Sequence, residues 1–351
     1  MTDWLNNLSP TAQFALFMGV KAVVAFAVMM TVFAYTVLVE RRVCAFIQGR
    51  VGPNRAGPFG LLQPAADAVK AFFKEEMTPA HVRKVFFTLA PMIALIPAIL
   101  NLAVIPFGSK LGNQPMVLAN LNVGILYTFG IVSLGVYSIV LAGYAANSKY
   151  PFLGGIRSGA QMISYEIPMG MSVVPVFMLV GSLNLGDVIT YQSHGLFSWL
   201  VFKQPLAFAI FLIAAFAETN RTPFDLPEAE QELAGGYNIE YSAMKFAMFF
   251  IGEYANMILA SGMMVTLFFG GWTLPWFGLD KPATDILHGV LHIGIFLAKV
   301  FLFLLMFIWV RWMWPRFRYD QLMDLGWRRF IPLALGNIVV TAVILWMRGG
   351  K

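Results

Sequence analysis

The stretch from residue 218 to residue 270, ETNRTPFDLPEAEQELAGGYNIEYSAMKFAMFFIGEYANMILASGMMVTLFFG, joins an acidic segment to an apolar one. Residues 218–241 carry six of the chain's 18 carboxylates and a single cation, Arg221, although the whole chain has a formal net charge of +6. Residues 242–270 form an apolar run longer than the roughly 20 residues that cross a bilayer. The stretch therefore predicts a membrane-spanning helix that directly follows a local concentration of acid.

The same apolar character extends over the whole chain. Of its 351 residues, 59% are hydrophobic and only 12% are charged, whereas roughly 25% charged residues are usual in soluble domains. This composition excludes a soluble globular protein and predicts an all-α integral membrane protein with one polytopic domain, residues 1–351. We expect eight spanning helices, at residues 14–38, 86–106, 123–146, 161–181, 200–218, 242–270, 288–312 and 328–347.

Lysines and arginines are distributed unevenly between the two predicted sides of the membrane. Sixteen fall in the segments 39–85, 147–160, 219–241 and 311–329, and five fall on the other side. Because cytoplasmic loops are enriched in these residues, the loop 39–85 and the acidic loop 218–241 are predicted to be cytoplasmic. Both chain termini are then predicted to lie on the outer side.

The first cytoplasmic loop contains two different segments. Residues 48–64, QGRVGPNRAGPFGLLQP, hold four glycines and three prolines, which predicts turns where the backbone approaches a neighbour closely. Polar residues then recur at helical spacing over residues 61–75, opposite an apolar face. Since about 15 helical residues measure roughly 22 Å, we expect an amphipathic helix that lies in the membrane interface.

Four ionisable side chains lie well inside predicted spans, away from the span ends. Glu166 lies in the fourth span and Glu253 lies near the middle of the sixth, where an ionisable group costs at least about 2.5 kcal/mol. Glu253 is therefore predicted to be functional, with a paired structural carboxyl as the alternative. Lys299 in the seventh span is either the counter-charge of Glu253 or a separate proton relay. Lys21 in the first span has either a functional role or a snorkelling one.

The acidic loop has a helix signature of its own. Asp225 and Glu228 have the spacing of a capping box, and Gly235 follows as a stop signal, which predicts a short helix at residues 226–234. Glu228 and Glu232 then share one helix face, where carboxylates titrate as a coupled set. Such a set can hold or pass protons at a membrane surface, and a solvated acidic loop is the alternative.

Metal and redox sites are poorly supported by the composition. A single cysteine, Cys44, excludes an iron–sulfur cluster, a cysteine-type zinc site and a c-type haem within this chain. His288 and His292 are four residues apart on one helix, where they cannot clamp a haem from both sides, so a structural role is preferred. We expect this chain itself to bind no iron–sulfur cluster, flavin, haem or nucleic acid.

Three long motifs occur in order along the chain: ERRVCAFIQGRVGPNRAGPFGLLQPAADAVKAFFKE at residues 40–75, AETNRTPFDLPEAEQELAGGYNIEYS at residues 217–242 and PRFRYDQLMDLGWRRFIPLAL at residues 315–335. With these motifs, nearly the whole chain resembles the quinone-site membrane subunit of respiratory complex I, the bacterial proton-translocating NADH:quinone oxidoreductase.

The resemblance implies a quinone cavity shared with two peripheral subunits, one of which holds the terminal iron–sulfur cluster. It also implies antiporter-like membrane subunits and membrane lipid as partners, ubiquinone as substrate, and the bacterial cytoplasmic membrane as location, with periplasmic termini. The implied quinone-binding residues are Glu40, Arg41, Arg50, Arg55, Arg221, Phe224 and Asp225. The implied proton-coupling or charge-coupling carboxylates are Glu166, Glu218, Glu228, Glu230, Glu232, Glu240 and Glu253.

Two other classes of function remain open from the residues. A membrane subunit of a nickel–iron hydrogenase complex would share the acidic motif, although we expect a weaker glycine-rich loop there. A free-standing proton or cation transporter predicts inverted internal repeats, but the acidic motif occurs once. A pull-down of the native partners separates these classes.

Overall fold

The computed structural model describes residues 9–111, 114–226, 235–276 and 278–349. Regular structure in these ranges is helical apart from one short antiparallel pair, β1 Lys110–Leu111 with β2 Gln114–Pro115. The α-helices there are α1 Pro10–Ile47, α2 Gln63–Phe73, α3 Lys84–Leu102, α4 Gly124–Val132, α5 Leu134–Ala145, α6 Lys149–Val180, α7 Leu185–Gln192, α8 Leu200–Lys203, α9 Pro205–Glu218, α10 Ala243–Phe268, α11 Ile286–Met313, α12 Tyr319–Asp324 and α13 Ile331–Met347. Short 3-10 helices lie at Pro58–Gly60, Leu196–Ser198 and Gly236–Asn238, and the π-helix Leu325–Phe330 joins α12 to α13.

The all-α membrane fold is confirmed. Seven helical segments of the described ranges are long and apolar enough to cross a membrane: Ala15–Ile47, Lys84–Leu102, Gly124–Ala145, Lys149–Val180, Ala243–Phe268, Ile286–Met313 and Tyr319–Met347. The fifth predicted span, residues 200–218, differs from the prediction because it is divided at Gln204 into α8 and the shorter apolar helix α9. Pro205 explains the break, since proline has no N–H group and starts a helix at its first position.

Two helices organise the bundle. α6 packs against α5, α9 and α13, while α10 packs against α3, α11 and α1. Tyr165 on α6 and Met257 on α10 are fully buried in the shared core. Gly154 on α6 allows the loop before α10 to pack directly against this helix. A Cβ atom at Gly154 would lie only 2.9 Å from the Cα of Gly236. This close approach places the acidic loop over the end of α6.

Connecting segments meet at two ends of the bundle. At one end, here called the site end, the backbone N–H of Arg83 donates to Ala145 and that of Phe317 donates to Pro223. At the opposite end, the segments 103–123, 181–199 and 269–285 meet, and Gln192 on α7 donates to the carbonyl of Thr266. The site end holds the described parts of the loops that were predicted to be cytoplasmic.

The glycine-rich loop and the amphipathic helix lie at the site end. Helix α2, Gln63–Phe73, forms within the predicted residues 61–75 and buries none of its residues. Arg41 at the end of α1 pairs with Asp67 of α2 at 2.6 Å. Gly60 has a φ of +70°, and a Cβ there would lie 2.2 Å from the carbonyl oxygen of Pro53. The prediction that these glycines allow close backbone approach is confirmed at this position.

Candidate functional site

Glu40 is the anchor of a buried cluster of charges where α1, α10 and α11 meet. Its side chain is almost fully buried, although glutamate is rarely buried without partners. The hydroxyl of Tyr254 donates to its Oε2 at 2.6 Å, Arg221 Nη1 lies 3.2 Å from its Oε1, and Arg311 pairs with the same oxygen. Two cations and a phenol thus compensate one buried carboxylate, as a buried ion pair requires.

Arg221 joins two carboxylates that come from different helices. It lies on the turn after α9, and its Nε is 2.8 Å from Oε1 of Glu253 on α10, beside its pairing with Glu40. Its guanidinium also stacks 4.3 Å from the ring centre of Tyr254. Burial lowers the pKa of Arg221, but the neighbouring Glu253, Tyr254 and Glu40 outweigh burial and raise that pKa above its ordinary value. Arg221 therefore stays cationic at the centre of the cluster.

Asp225 extends the charges toward the loop before α12. Its Oδ2 lies 3.1 Å from Arg316 Nη2, while its Oδ1 has no hydrogen-bond partner among the described residues. Burial raises the pKa of Asp225, although Arg316, Arg311 and Arg221 act in the opposite direction. The preceding Phe224 is buried against the rings of Tyr165 and Phe317. The turn is thereby packed into the protein and is not a solvated loop.

A small polar cavity lies between two of the predicted carboxylates. Its volume is about 40 Å³, and its wall includes Glu218, Glu253, Asn220 and Asn256. A polar space of this size accommodates a few water molecules, but it is far below the roughly 300–1,000 Å³ of ligand pockets. The cavity therefore suits water between the carboxyls of Glu218 and Glu253 and does not suit a quinone headgroup.

Glu218 and Glu166 have surroundings that differ from those of Glu253. Glu218 is buried at the end of α9, and neither of its oxygens has a hydrogen-bond partner in the described ranges. Glu166 on α6 is half-buried, accepts a hydrogen bond from the Ser133 hydroxyl and interacts electrostatically with Glu218. The described ranges show no cation paired with either carboxyl, whereas Glu253 is paired with Arg221.

The other predicted site residues lie elsewhere at the site end. Arg41 pairs with Asp67, and Glu240 lies 3.6 Å from His81. Arg50 and Arg55 are exposed on the glycine-rich loop. Glu228, Glu230 and Glu232, together with most of the predicted helix 226–234, lie outside the residues that the structure describes.

Of the two alternatives left open for Lys299, the counter-charge of Glu253 is wrong, because Arg221 is the partner of Glu253. Lys299 Nζ donates instead to the carbonyls of Phe269, Gly271 and Thr273 at 2.8, 2.9 and 2.7 Å. Three acceptors occupy all three N–H groups of an ammonium, which supports an anchoring role at the opposite end. Lys21 likewise donates to two loop carbonyls at that end, those of Pro115 and Val117.

His292 has structural contacts, as preferred from its spacing. Its Nδ1 lies 2.8 Å from the Ser109 hydroxyl, and its ring packs 4.5 Å from that of Trp272. Within the described part of the chain, no group of three or more histidine, cysteine, aspartate or glutamate side chains is arranged to hold a metal ion.

Sequence reasoning missed three members of the cluster: Tyr254, Arg311 and Arg316. In the sequence, Arg311 and Arg316 were used only to count basic residues on the two sides of the membrane. Arg311 nevertheless lies in the last turn of a spanning helix, where a cation can face the bundle. Tyr254 follows Glu253 directly, but the sequence does not show that its hydroxyl reaches α1.

Comparison with known proteins identifies the family of the chain. Residues 20–342 match a family model described as NADH dehydrogenase. The chain is 46% identical over 340 residues to an H-type subunit of the NADH-quinone oxidoreductase of Cytophaga hutchinsonii, covering 95% of this chain and 98% of that protein. It is 50% identical to the corresponding subunit of Deinococcus deserti, covering 97% and 85%, and 50% identical to one from Geobacter metallireducens, covering 93% and 96%. The chain therefore belongs to the NADH dehydrogenase family, together with these bacterial subunits of NADH-quinone oxidoreductase.

Proposed function

We propose that this chain is the membrane subunit of NADH-quinone oxidoreductase that forms part of the quinone cavity and couples quinone reduction to proton translocation. The observation that carries the proposal is the buried bridge in which Arg221 joins Glu40 and Glu253. A cation shared by two carboxylates on different helices responds to any nearby change of charge, because each member is held by the others. The reaction itself, quinone reduction by NADH, is inferred from membership of the NADH dehydrogenase family.

The quinone side of the site is proposed to lie at the turn that carries Arg221, Phe224 and Asp225. Reduction of a quinone to a quinol takes up two electrons and two protons. The electrons come from a partner subunit, and this chain supplies fixed charge and groups that hold or release protons. Negative charge that develops beside the cluster is stabilised by Arg221 and disfavours the ionised form of the neighbouring carboxyls.

The carboxylates are proposed to carry this response away from the quinone. The water-sized cavity joins Glu253 to Glu218, and Glu218 interacts with Glu166. Glu218 and Glu166 have no paired cation in the described ranges, so a change of proton there breaks no ion pair. Glu228, Glu230, Glu232 and Glu240 extend the same path in the proposal.

The type of quinone, the partner subunits and the orientation in the membrane are proposed from the family and from the charge distribution. Ubiquinone is proposed as the quinone, and the partners are a peripheral subunit with the terminal iron–sulfur cluster and antiporter-like membrane subunits. The excess of basic residues in the site-end loops supports a bacterial cytoplasmic membrane protein with that end in the cytoplasm and both termini in the periplasm. Arg41, Arg50 and Arg55 then border the quinone cavity beside Glu40.

Purification of the native complex tests this function. A tag on this chain should recover NADH dehydrogenase subunits, and the purified complex should reduce quinone with NADH. Recovery of a nickel–iron hydrogenase, or of this chain alone with transport activity, would replace the proposal by one of the other two classes. The near full-length similarity to NADH-quinone oxidoreductase subunits favours the first outcome.

A further inference from the structure

We propose that Gln161 is a positioning residue, which fixes the turn of residues 217–225 so that Arg221 stays with Glu253 and Glu218 stays without a cation. The inference rests on the proposed function, because it concerns the same carboxylates. It assigns a role to a neutral side chain that acts through the turn it holds.

Gln161 ties the two ends of this turn together. Its side chain is on α6 and fully buried. Its Nε2 lies 2.9 Å from the carbonyl oxygen of Ala217 and 2.7 Å from that of Phe224, with the side-chain oxygen of Asn220 at 3.2 Å. An amide nitrogen has two N–H groups, so the two nearer carbonyls take both donors. Ala217 precedes Glu218 and Phe224 precedes Asp225, so one side chain fixes both carboxylates.

The turn needs such a restraint because its backbone is unusual. Asn220 has a φ of +51°, which lies in the left-handed region that residues other than glycine rarely adopt. The backbone N–H of Arg221 donates to Phe216 at 3.2 Å, and that of Phe224 donates to Arg221 at 2.8 Å. Gln161 adds hydrogen bonds from outside the turn to the one that Phe317 donates to Pro223, and thereby favours this conformation over more extended ones.

The positioning has an electrostatic consequence. Arg221 is the only cation between residues 217 and 226, and Glu218 lies three residues before it with both carboxyl oxygens unpartnered in the described ranges. If the turn relaxed, the guanidinium would be attracted to Glu218 and would leave Glu253. Gln161 therefore maintains one paired and one unpaired carboxyl on the two sides of the water-sized cavity.

A second buried glutamine provides a matched control. Gln192 on α7 is also fully buried, and its Nε2 likewise lies within hydrogen-bond distance of three oxygens, the carbonyls of Val188, Thr266 and Leu267. It lies at the opposite end, away from the carboxylates. Substituting both glutamines in the same way distinguishes the effect of losing any buried amide from the effect of losing the positioned turn.

The test compares Gln161→Glu with Gln192→Glu in the complete complex. At neutral pH the introduced carboxylate faces three acceptor oxygens, so quinone reduction per assembled complex should fall about tenfold or more while NADH oxidation by a hydrophilic acceptor is unchanged. At lower pH the protonated carboxyl donates one hydrogen bond, and activity relative to wild type should recover. Gln192→Glu should lower the amount of assembled complex and leave the pH profile of quinone reduction as in wild type.

Gln161→Asn keeps both N–H groups but is one methylene shorter, and it serves where the glutamate variant does not assemble. It should lower quinone reduction without the recovery at low pH. Wild-type activity and pH profile per assembled complex in the variants that assemble would overturn the positioning role. Glu218→Gln, measured in the same membranes, keeps the two proposals apart. If Glu218→Gln abolishes coupling while Gln161→Glu has no effect, only the Gln161 inference fails. If Glu218→Gln has no effect, the proposed coupling fails.

Discussion

At the scale of single residues, the cluster depends on the compensation of buried charge. Glu40 and Glu253 are tolerated because Arg221 lies between them, and removal of one member of a buried pair typically costs about 3–5 kcal/mol. The pairs on the surface of the same protein differ, since exposed ion pairs contribute roughly 0–1 kcal/mol. Replacing an arginine by methionine should therefore lower stability much more in a buried pair than in an exposed one.

Arg221→Met should destabilise the complex by about 3–5 kcal/mol, because it leaves the buried Glu253 without its cation and Glu40 with Arg311 alone. Arg328→Met is the control, since Arg328 pairs at 3.1 Å with Asp324 on an exposed surface and should change stability by less than about 1 kcal/mol. Thermal unfolding in detergent and the yield on native gels measure both effects. Equal and small losses for the two variants would contradict the assigned role of the bridge.

Arg221→Lys keeps the charge but replaces a planar fork by a single ammonium. It should assemble better than Arg221→Met because the cluster keeps a second cation beside Arg311. Quinone reduction should nevertheless stay low, since a lysine does not span both Glu40 and Glu253 in the same geometry. The ratio of quinone reduction to assembled complex measures this difference, and wild-type activity would show that only charge matters.

Asp225 gives a prediction about pH. Its pKa is raised in the folded protein by burial, so between the unfolded and folded pKa values the folded state binds more protons than the unfolded state. Stability from this group therefore falls as pH rises through that window. Asp225→Asn removes the dependence, so the melting temperature of the variant relative to wild type should rise from acid to neutral pH. A difference in melting temperature between variant and wild type that does not vary with pH would contradict a raised pKa of Asp225.

At the scale of elements, the apolar runs of the sequence predicted where spanning helices occur, but the contacts between helices were not predictable. Seven of eight spans form because each run is long enough to satisfy its backbone internally. The span at residues 200–218 is broken where Pro205 follows Gln204, a signal that the sequence contains. Helical periodicity shows which face of a helix is polar, and it does not show which helix that face meets.

For the site, likewise, the sequence identified single residues but not the contacts between them. Burial of a carboxylate in an apolar run identified Glu253, and the motif around residue 221 identified Arg221. The pairing of Glu253 with Arg221 and not with Lys299 depends on tertiary packing, because the two cations are far from Glu253 along the chain and both were plausible partners by charge. Gln161 was not identified because an uncharged polar residue in a spanning helix carries no such signal.

The glycine-rich loop before α2 supports a prediction with an internal control. Gly60→Ala places a Cβ 2.2 Å from the carbonyl oxygen of Pro53, while Gly49→Ala meets nothing within 4 Å, although both glycines have positive φ. Each alanine is strained by about 1–2 kcal/mol in this region, so any further effect at Gly60 comes from the close approach. We expect Gly60→Ala to lower assembly or raise the KM for quinone more than Gly49→Ala, and equal effects would contradict a role of the loop fold.

At the scale of the whole molecule, the two ends of the bundle have different roles. The site end collects the carboxylates, Arg221 and the loops that were predicted to be cytoplasmic, while the opposite end is held by neutral contacts and by lysines bonded to carbonyls. The described charged members of the proposed coupling path therefore lie toward one end of the protein. This division is expected of a subunit that receives a signal at one surface and transmits it sideways.

Orientation can be measured with two cysteines in a Cys44→Ala background. His81 is exposed at the site end and His194 is exposed at the opposite end, so His81→Cys should react with an impermeant thiol reagent only from the cytoplasm and His194→Cys only from the periplasm. Native Cys44 is removed because it would itself react. Labelling of both from one side would contradict the topology.

The most direct test of the coupling role is to measure quinone reduction and proton pumping together in vesicles that contain the purified complex with Glu253→Gln or Glu218→Gln. Glutamine keeps the shape and removes ionisation, so a structural carboxyl would tolerate it. If these groups change protonation in each turnover, both rates should fall together in fully assembled complex, and aspartate at either position should retain more activity than glutamine. Near-normal pumping with both glutamine variants would contradict the coupling role of these carboxylates.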